Sequence, residues 1–95
     1  MAAYLVARAH LTDMAKFQHY AENVPEVMKK YGGKPIARDP EKITLEGDEQ
    51  PGLVAVFEFP DRDAVVAFYN DPAYQELKAS REGAGTLHLV AVSGV

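Results

Sequence analysis

The sequence predicts an α+β fold in which one four-stranded antiparallel sheet packs against helices. In some segments apolar and polar residues alternate, as they do in strands, and in the segments between them apolar residues recur at helical spacing. The predicted elements follow one another in the order β-α-β-β-α-β, the split βαβ pattern. With 95 residues the chain is long enough for a single domain, which we expect to span residues 1–95.

The spacing of apolar residues changes from that of a strand to that of a helix between the first two predicted elements. Residues 3–10 alternate as a strand does. Thr12 then stands where an N-cap is expected, with Asp13 beside it in the first turn. Apolar residues recur at helical spacing from there to Tyr31. These residues predict a strand followed directly by a helix.

Prolines and glycines mark where the middle elements end. Pro25 lies inside the helical run, so we expect a kink or a short break near residues 21–22. Gly32-Gly33 predicts the end of the helix, because glycine takes the left-handed conformation without steric penalty. Residues 34–38 and 43–46 then predict two short strands or one bent strand.

The second half of the chain contains the most regular strand. Residues 53–59 form it, and Asp61 begins a helix. Asp71 fits an N-cap and Pro72 the first position of a further helix, since proline lacks an N–H that would be unpaired there. Residues 86–92 are the last strand. The whole series predicts a ferredoxin-like fold, in which the first strand lies between the third and fourth and is antiparallel to both.

Both faces of the predicted sheet are apolar. Because strand side chains alternate between the two faces, each strand divides into two sets. One set is wholly apolar and should meet the helices: Leu5, Ala7, Ala9, Leu53, Ala55, Phe57, Phe59, Leu87, Leu89 and Ala91. The other set forms the outer face, which is also largely apolar: Tyr4, Val6, Arg8, His10, Val54, Val56, Glu58, Thr86, His88, Val90 and Val92. Large apolar patches mark interfaces, so we expect a second copy of the chain to cover the outer face.

Polar groups collect at one end of the outer face. The expected pairing brings Arg8, His10, Thr86 and His88 together, with Glu58 at the opposite end. Titratable groups in a partly apolar recess are typical of a functional site. Two interpretations stay open: these residues make hydrogen bonds or salt bridges across a dimer interface, or they contact a ligand.

Composition and charge exclude several classes of function. Ten basic and fourteen acidic residues give a net charge of −4, and the basic residues are too scattered to form a stripe for nucleic acid. No apolar run approaches the ~20 residues that span a bilayer, and the first residues lack the features of a secretory signal. We expect no nucleic-acid partner, no membrane association and a cytoplasmic location, with which the absence of cysteine agrees.

The sequence motifs of common metal, cofactor and nucleophile sites are missing. The three histidines, His10, His19 and His88, lie on different predicted elements and have no metal-binding spacing. Without cysteine there is no thiolate ligand. Neither glycine pair follows a strand and opens a helix, as a phosphate-binding loop requires. We therefore expect no bound metal and no cofactor.

Tyrosine is over-represented for so short a chain, with five residues. Four of the five lie on the core-facing side of predicted helices or at helix ends: Tyr20, Tyr31, Tyr69 and Tyr74. A buried tyrosine needs a hydrogen-bond partner for its hydroxyl. One interpretation is structural packing. The other is a recess lined by tyrosines that holds a small acidic or aromatic compound, with an arginine as counter-charge.

An ordered series of short motifs runs through the chain: Tyr31-Gly32-Gly33-Lys34, Arg38, Leu45-Glu46-Gly47, Phe57-Glu58-Phe59-Pro60, Phe68-Tyr69-Asn70-x-Pro72-x-Tyr74 and Arg81. In this order they resemble the domain of unknown function 1330 family over essentially the whole sequence. The resemblance implies a ferredoxin-like subunit of the dimeric α+β barrel superfamily, in which two sheets pack face to face. The family has no established activity, so the resemblance implies no reaction.

The sequence leaves two hypotheses for function. In the first, each subunit of a homodimer binds or transforms a small acidic or aromatic metabolite in a pocket between sheet and helices. The polar residues that match the family motifs would line this pocket: Arg38, Glu46, Tyr69, Tyr74 and Arg81. Arg81 would clamp an anionic group, and Glu46 is the candidate general base. In the second hypothesis the chain is a non-catalytic interaction domain whose polar residues only support the dimer.

Overall fold

The structure, a computed structural model, describes residues 1–49 and 51–95. Its elements are β1 (Ala3–Leu11), α1 (Met14–Lys30), β2 (Lys34–Asp39), β3 (Leu53–Phe59), α2 (Arg62–Asn70), α3 (Pro72–Ser80) and β4 (Gly85–Ser93). This order is the predicted one, with the second helical region divided in two where Asp71 and Pro72 predicted a new helix. No helix within the described residues is long and apolar enough to cross a membrane.

The strands form one antiparallel sheet in the order β2-β3-β1-β4. β1 therefore lies between β3 and β4, as predicted. At the centre of the sheet Val6 of β1 is opposite Val56 of β3 on one side and Val90 of β4 on the other. Strand order and helix placement confirm the α+β, ferredoxin-like fold.

Asp13, and not Thr12, caps α1. The Asp13 side chain accepts a hydrogen bond from the backbone N–H of Lys16 at 3.2 Å. Thr12 is engaged elsewhere, since its backbone N–H and its hydroxyl both donate to the Ala84 carbonyl, at 2.8 and 3.3 Å. The prediction of Thr12 as N-cap was wrong because this contact with the segment before β4 takes the hydroxyl away from the helix.

Pro25 lies inside α1 without breaking it. The predicted break near residues 21–22 is wrong, because α1 is one continuous helix from Met14 to Lys30. Proline removes the hydrogen bond to the carbonyl of Ala21, but Pro25 and Ala21 are both exposed. Water can therefore satisfy the carbonyl that lost its partner. The predicted end of the helix is confirmed, with Gly32 in the left-handed region at φ +77°.

Residues 43–46 do not form the predicted strand. No strand occurs within residues 40–49, and Ile43 and Leu45 are 82% and 92% exposed. An alternating apolar pattern becomes a strand only where a neighbouring strand and a core accept it. β2 pairs with β3 as far as Asp39, and the chain then leaves the edge of the sheet.

The core lies between the sheet and the three helices. Most of the strand residues predicted to face the helices are buried or half-buried there, although Ala91 near the end of β4 is exposed. A cluster of aromatic residues, Phe59, Phe68 and Tyr74, forms the centre of this core. Its rings make close tilted contacts, 5.6 Å between the centroids of Phe59 and Phe68 and 4.7 Å between those of Phe68 and Tyr74.

The outer face of the sheet is uncovered, because α1 and α2 pack against the other face and α3 packs against these two helices. Val90, at the centre of the outer face, is 58% exposed, and Val92, toward one end, is 45% exposed. At the end near Tyr4, Lys34 makes a salt bridge of 3.3 Å with Glu58. The outer face is thus an apolar band with charged residues at its margins.

Asp71 joins the start of α3 to the end of α1. One of its carboxylate oxygens accepts a hydrogen bond from the Ala73 backbone N–H at 2.7 Å. The other oxygen accepts hydrogen bonds from the Tyr31 hydroxyl and, at 3.1 Å, from Lys30 Nζ. The Tyr31 hydroxyl above all, then the Ala73 N–H and Lys30, lower the pKa of Asp71 from 3.8 to about 2. A single buried carboxylate therefore caps one helix and holds another against it.

Gly33 is the point where the chain leaving α1 meets the core. A Cβ at this position would lie 2.5 Å from Met28 Cγ and 2.6 Å from ring carbons of Phe59. We predict that Gly33→Ala lowers the free energy of unfolding by about 1–3 kcal/mol and that Gly33→Leu lowers it further. Gly47, at φ +86° with nothing within 4 Å of a Cβ, is the control. At Gly47, Ala and Leu should lower the free energy of unfolding by the same amount within about 0.5 kcal/mol. Urea unfolding measures all four variants. Equal losses for Ala and Leu at Gly33 would contradict the steric account.

The lowered pKa of Asp71 predicts a dependence of stability on pH. As pH falls from about 5 to about 2, the unfolded chain takes up a proton at Asp71 before the folded chain does, so stability is lost through this range. Asp71→Asn should be less stable than the wild type near neutral pH, and the difference should shrink toward pH 2. Asp61→Asn is the control, since Asp61 caps α2 without the Lys30 and Tyr31 contacts. Urea unfolding at each pH measures both; a constant Asp71→Asn difference would contradict the assignment.

Candidate functional site

A pocket of about 440 Å³ lies between the sheet and the helices α2 and α3. We call it the helix-side pocket. Its walls are mostly aliphatic or aromatic side chains from β1, β4 and α2: Leu5, Val65, Val66, Phe68, Leu87, Leu89 and Ala91. Three polar residues complete the lining: Tyr69, Lys78 and Arg81. The helix-side pocket is therefore an apolar cavity with two cationic groups on one side.

Arg81 lies at the C-terminal end of α3, and two tyrosines hold its side chain in place. The guanidinium packs over the Tyr20 ring, 4.9 Å from the centroid, and Nη2 donates to the Tyr74 hydroxyl at 3.5 Å. Its Nε is buried, and no group among residues 1–49 and 51–95 accepts a hydrogen bond from it. Burial lowers the pKa of Arg81, but the contacts with Tyr74 and Tyr20 raise it by more. The guanidinium is thus a fixed, permanent charge.

Tyr20 and Tyr74 are paired beneath Arg81. Their hydroxyls are 3.0 Å apart and both residues are buried, with Tyr74 entirely inaccessible. Burial raises the pKa of Tyr20, and the neighbouring Tyr74 raises it further. Tyr20 therefore remains a neutral phenol at physiological pH. The pair gives Arg81 a rigid polar support within an otherwise apolar core.

Lys78 is the second cation of the helix-side pocket. Its Nζ donates to the Tyr69 hydroxyl at 2.7 Å and lies 5.1 Å from the centroid of the Tyr69 ring. Lys78 and Arg81 also line a neighbouring recess of about 430 Å³ with a more polar lining, which includes Gln75 and Glu82. We call this second space the polar recess. The two cations therefore stand at the boundary between an apolar and a polar cavity.

The structure brings together three of the five residues predicted to line a ligand pocket. Tyr69 and Arg81 line the helix-side pocket, and Tyr74 lies behind them, its ring 5.2 Å from that of Tyr69. Arg38 does not join them. It is exposed on β2, and two strands separate β2 from β4, which at the usual strand spacing is a distance of about 14 Å. Glu46 is exposed between β2 and β3 and does not line the pocket either.

These positions determine what chemistry the helix-side pocket can perform. Among the described residues its lining contains no carboxylate and no imidazole, and Glu46, the predicted general base, is not one of the lining residues. The groups present are hydrogen-bond donors and positive charges, which suit the binding of an anion next to an apolar body. Within the described residues, no three His, Asp or Glu side chains are grouped as a metal ion would require.

A smaller recess, of about 220 Å³, lies on the outer face. Its lining includes Arg8, His10, Thr86 and His88, which the sequence predicted to lie together. The pairing of β1 with β4 places Arg8 opposite His88 and His10 opposite Thr86, while Glu58 is at the other end opposite Tyr4. This recess opens onto the uncovered outer face, so any second copy packed there would close it.

Lys78 was not assigned to the site from the sequence, and Tyr20 was named only among the tyrosines of a predicted recess, not among the five pocket residues. Lys78 precedes Arg81 by three positions, and residues at this spacing share one face of a helix. That signal would have identified Lys78. The pairing of Tyr20 with Tyr74 joins residues 54 positions apart, and no local pattern indicates it.

The tyrosine pair predicts a coupling between two substitutions. We expect Tyr20→Phe and Tyr74→Phe each to lower the free energy of unfolding by about 1–2 kcal/mol, since each leaves the other buried hydroxyl without this partner. The double variant should cost less than the sum by about 1 kcal/mol. Tyr4, on the opposite face of the sheet, is the control: Tyr4→Phe combined with Tyr20→Phe should be additive. Additivity of the Tyr20 and Tyr74 substitutions in urea unfolding would contradict the pair.

Solved structures of similar fold come from several bacteria. A protein of unknown function from Rhodopseudomonas palustris aligns with a TM-score of 0.81 at 20% identity, over 99% of this chain and 82% of that one. A dimeric ferredoxin-like protein of unknown function from a Jannaschia species aligns with a TM-score of 0.75 at 12% identity, over 99% and 100% of the two chains. SnoaB, a cofactor-independent oxygenase from Streptomyces nogalater, aligns with a TM-score of 0.69 at 14% identity, over 99% and 93%.

These likenesses concern the fold, since all three identities are low. No curated protein matches the sequence significantly. The family model of a domain of unknown function, DUF1330, matches residues 2–95, which is nearly the whole chain. The chain therefore belongs to the DUF1330 family.

Proposed function

We propose that the chain is one subunit of a homodimer and binds a small organic molecule with an apolar or aromatic body in the helix-side pocket. One observation carries this proposal: the pocket combines apolar walls with two cations, Lys78 and Arg81, on one side. Its volume of about 440 Å³ lies in the range typical of small-molecule sites, about 300–1,000 Å³.

The rigidity of the polar groups supports a binding role. Arg81 is held by Tyr20 and Tyr74, so its charge is in place before a ligand arrives, and Lys78 donates to the Tyr69 hydroxyl at the edge of the same pocket. Preorganised groups of this kind reduce the conformational entropy that is lost when a ligand binds.

The likeness to SnoaB supports this use of the fold and does not extend to its chemistry. SnoaB is a cofactor-independent oxygenase, and its fold matches nearly the whole of this chain. At 14% identity its activity cannot be transferred residue by residue. With no carboxylate or imidazole in the lining of the helix-side pocket, we propose binding rather than acid–base catalysis, and we propose no cofactor.

The outer face supports the proposed homodimer. Its valines are exposed in the isolated subunit, with Val90 at 58%, and the helices leave them uncovered. The Jannaschia protein of similar fold is dimeric, which supports the same arrangement here. We propose that a second copy packs against this face, with Arg8, His10 and His88 making polar contacts at one end of the interface.

The second candidate function is that of a non-catalytic interaction domain. The exposed valines of the outer face favour it, because they explain an interface without requiring a ligand. On this view Arg8 and His88 support only the dimer, and the helix-side pocket stays empty. The two functions differ in one outcome. Blocking the helix-side pocket weakens the binding of a small molecule under the first function and has no effect on binding under the second.

Filling the helix-side pocket separates the two functions. The probes are 2-naphthol, 2-naphthamide and 2-naphthoate, and binding to the wild type is followed by calorimetry and ligand-observed NMR. We expect at least one probe to bind, and Ala91→Trp, which places a ring at the pocket wall, to weaken it by about tenfold or more.

Ala67→Trp is the matched control, since Ala67 is exposed on α2 and does not line the pocket. Binding to this variant should equal binding to the wild type. A wild type that binds none of the probes, or an Ala91→Trp variant that folds cooperatively and binds as well as the wild type, would favour the interaction domain.

A further inference from the structure

Three basic side chains on the outer face lack a partner within residues 1–49 and 51–95. Arg8, His10 and His88 make no hydrogen bond and no salt bridge there. The pairing of β1 with β4 places Arg8 opposite His88, and His10 opposite Thr86. Side chains directly opposite on neighbouring strands have Cβ atoms about 4.5–5.5 Å apart. The four side chains therefore form a compact square, and they line the recess of about 220 Å³ on this face, which we call the outer-face recess.

The lining of the outer-face recess consists of hydrogen-bond donors and lacks acidic groups. Besides the four side chains of the square, its described lining residues are Ala9 and Pro51, so no described carboxylate lines it. Arg8 offers a fork of N–H donors, each imidazole offers at least one N–H, and Thr86 offers its hydroxyl. Donors of this kind around a permanent positive charge suit an anion.

A second copy packed on the outer face brings no free counter-charge for Arg8. Among the strand residues predicted for this face, Glu58 is the one carboxylate, and Lys34 already forms a salt bridge of 3.3 Å with it. Asp39, at the end of the edge strand β2, accepts a hydrogen bond from the Glu41 backbone N–H at 2.8 Å. Burying a guanidinium without a counter-charge is costly. An anion from solution removes this cost.

Size and the number of donors determine the class of anion. The volume of about 220 Å³ is roughly seven times the ~30 Å³ that one water occupies in the liquid, and it lies below the about 300 Å³ at which sites for drug-sized molecules begin. A carboxylate presents two oxygens, whereas a tetrahedral oxyanion presents oxygens in several directions. Donors on four separate side chains therefore match the tetrahedral oxyanion better.

We propose that the outer-face recess binds one tetrahedral oxyanion, either free phosphate or the phosphate group of a small monoester, and that the second copy encloses it. The donors are the four side chains of the square: Arg8, His10, Thr86 and His88. The enclosure rests on the proposed homodimer, whereas all four donors belong to a single subunit. Because the anion neutralises Arg8 where the interface buries it, anion binding and association of the subunits strengthen each other.

The first test measures binding of inorganic phosphate and of methyl phosphate by calorimetry and ³¹P NMR, at constant ionic strength with chloride as the balancing anion. Each subunit should bind one phosphate group, about tenfold more tightly than acetate or better. Arg8→Gln should weaken this binding by about tenfold or more, because it removes the charge and the forked donors. Arg62→Gln, at an exposed position on α2 outside the recess, is the matched control and should bind like the wild type. The phosphate that binds more tightly identifies the source of the anion.

The second test measures assembly by sedimentation equilibrium and separates the anion from a direct salt bridge between the copies. Saturating phosphate should tighten the wild-type dimer by about tenfold and leave the Arg8→Gln dimer unchanged, because glutamine needs no counter-charge. If Arg8 instead pairs with a carboxylate of the partner subunit, Arg8→Gln weakens the dimer equally with and without phosphate, and that result would overturn the anion site.

The failure of the anion site and the failure of the homodimer give different results. A wild-type dimer that binds neither phosphate, or binds both no better than Arg8→Gln does, would overturn the anion site and leave the homodimer in place. A wild type that stays monomeric while it binds phosphate through Arg8 would overturn the enclosure together with the proposed homodimer.

Discussion

The structure depends on one constraint: the sheet is apolar on both faces, and a chain of 95 residues has helices for only one of them. Burial of the helix-facing set builds the core around Phe59, Phe68 and Tyr74. The same alternation of strand side chains that fills this core places Val6, Val56 and Val90 in a row across the outer face. A short chain gains little from a core of this size, so the proposed second copy would supply burial that the single subunit lacks.

The candidate site is a consequence of how the helices cover their face. Dividing the second helical region at Asp71 lets α3 pack against α1, and the lowered pKa of this carboxylate reflects the donors that hold the two helices together. Tyr74, Lys78 and Arg81 follow one another along α3, which runs from this junction toward β4. The coverage of the sheet is incomplete there, and the gap is the helix-side pocket. The same helix therefore serves the core and the candidate site, because Tyr74 both fills the core and contacts Arg81.

Local patterns in the sequence predicted the elements well where the pattern itself decides the structure. Alternation identified the strands, and the aspartate N-caps identified the starts of α2 and α3. The errors arose where a distant partner decides: Thr12 contacts Ala84, and residues 43–46 find no neighbouring strand. The same limit applies to the site. The spacing of α3 groups Tyr74 with Arg81, but only the fold shows that Tyr20 joins them.

The central claim, that the outer face requires a second copy, is tested most directly by the mass of the chain in solution. Sedimentation equilibrium of the wild type should give twice the subunit mass of 10.4 kDa. Val90→Glu, on the outer face, should shift the equilibrium to the subunit mass. Val66→Glu, on α2 with a similar exposure of 54% against 58%, should leave the dimer intact. A wild type that sediments as a 10.4 kDa monomer at high concentration would contradict the account.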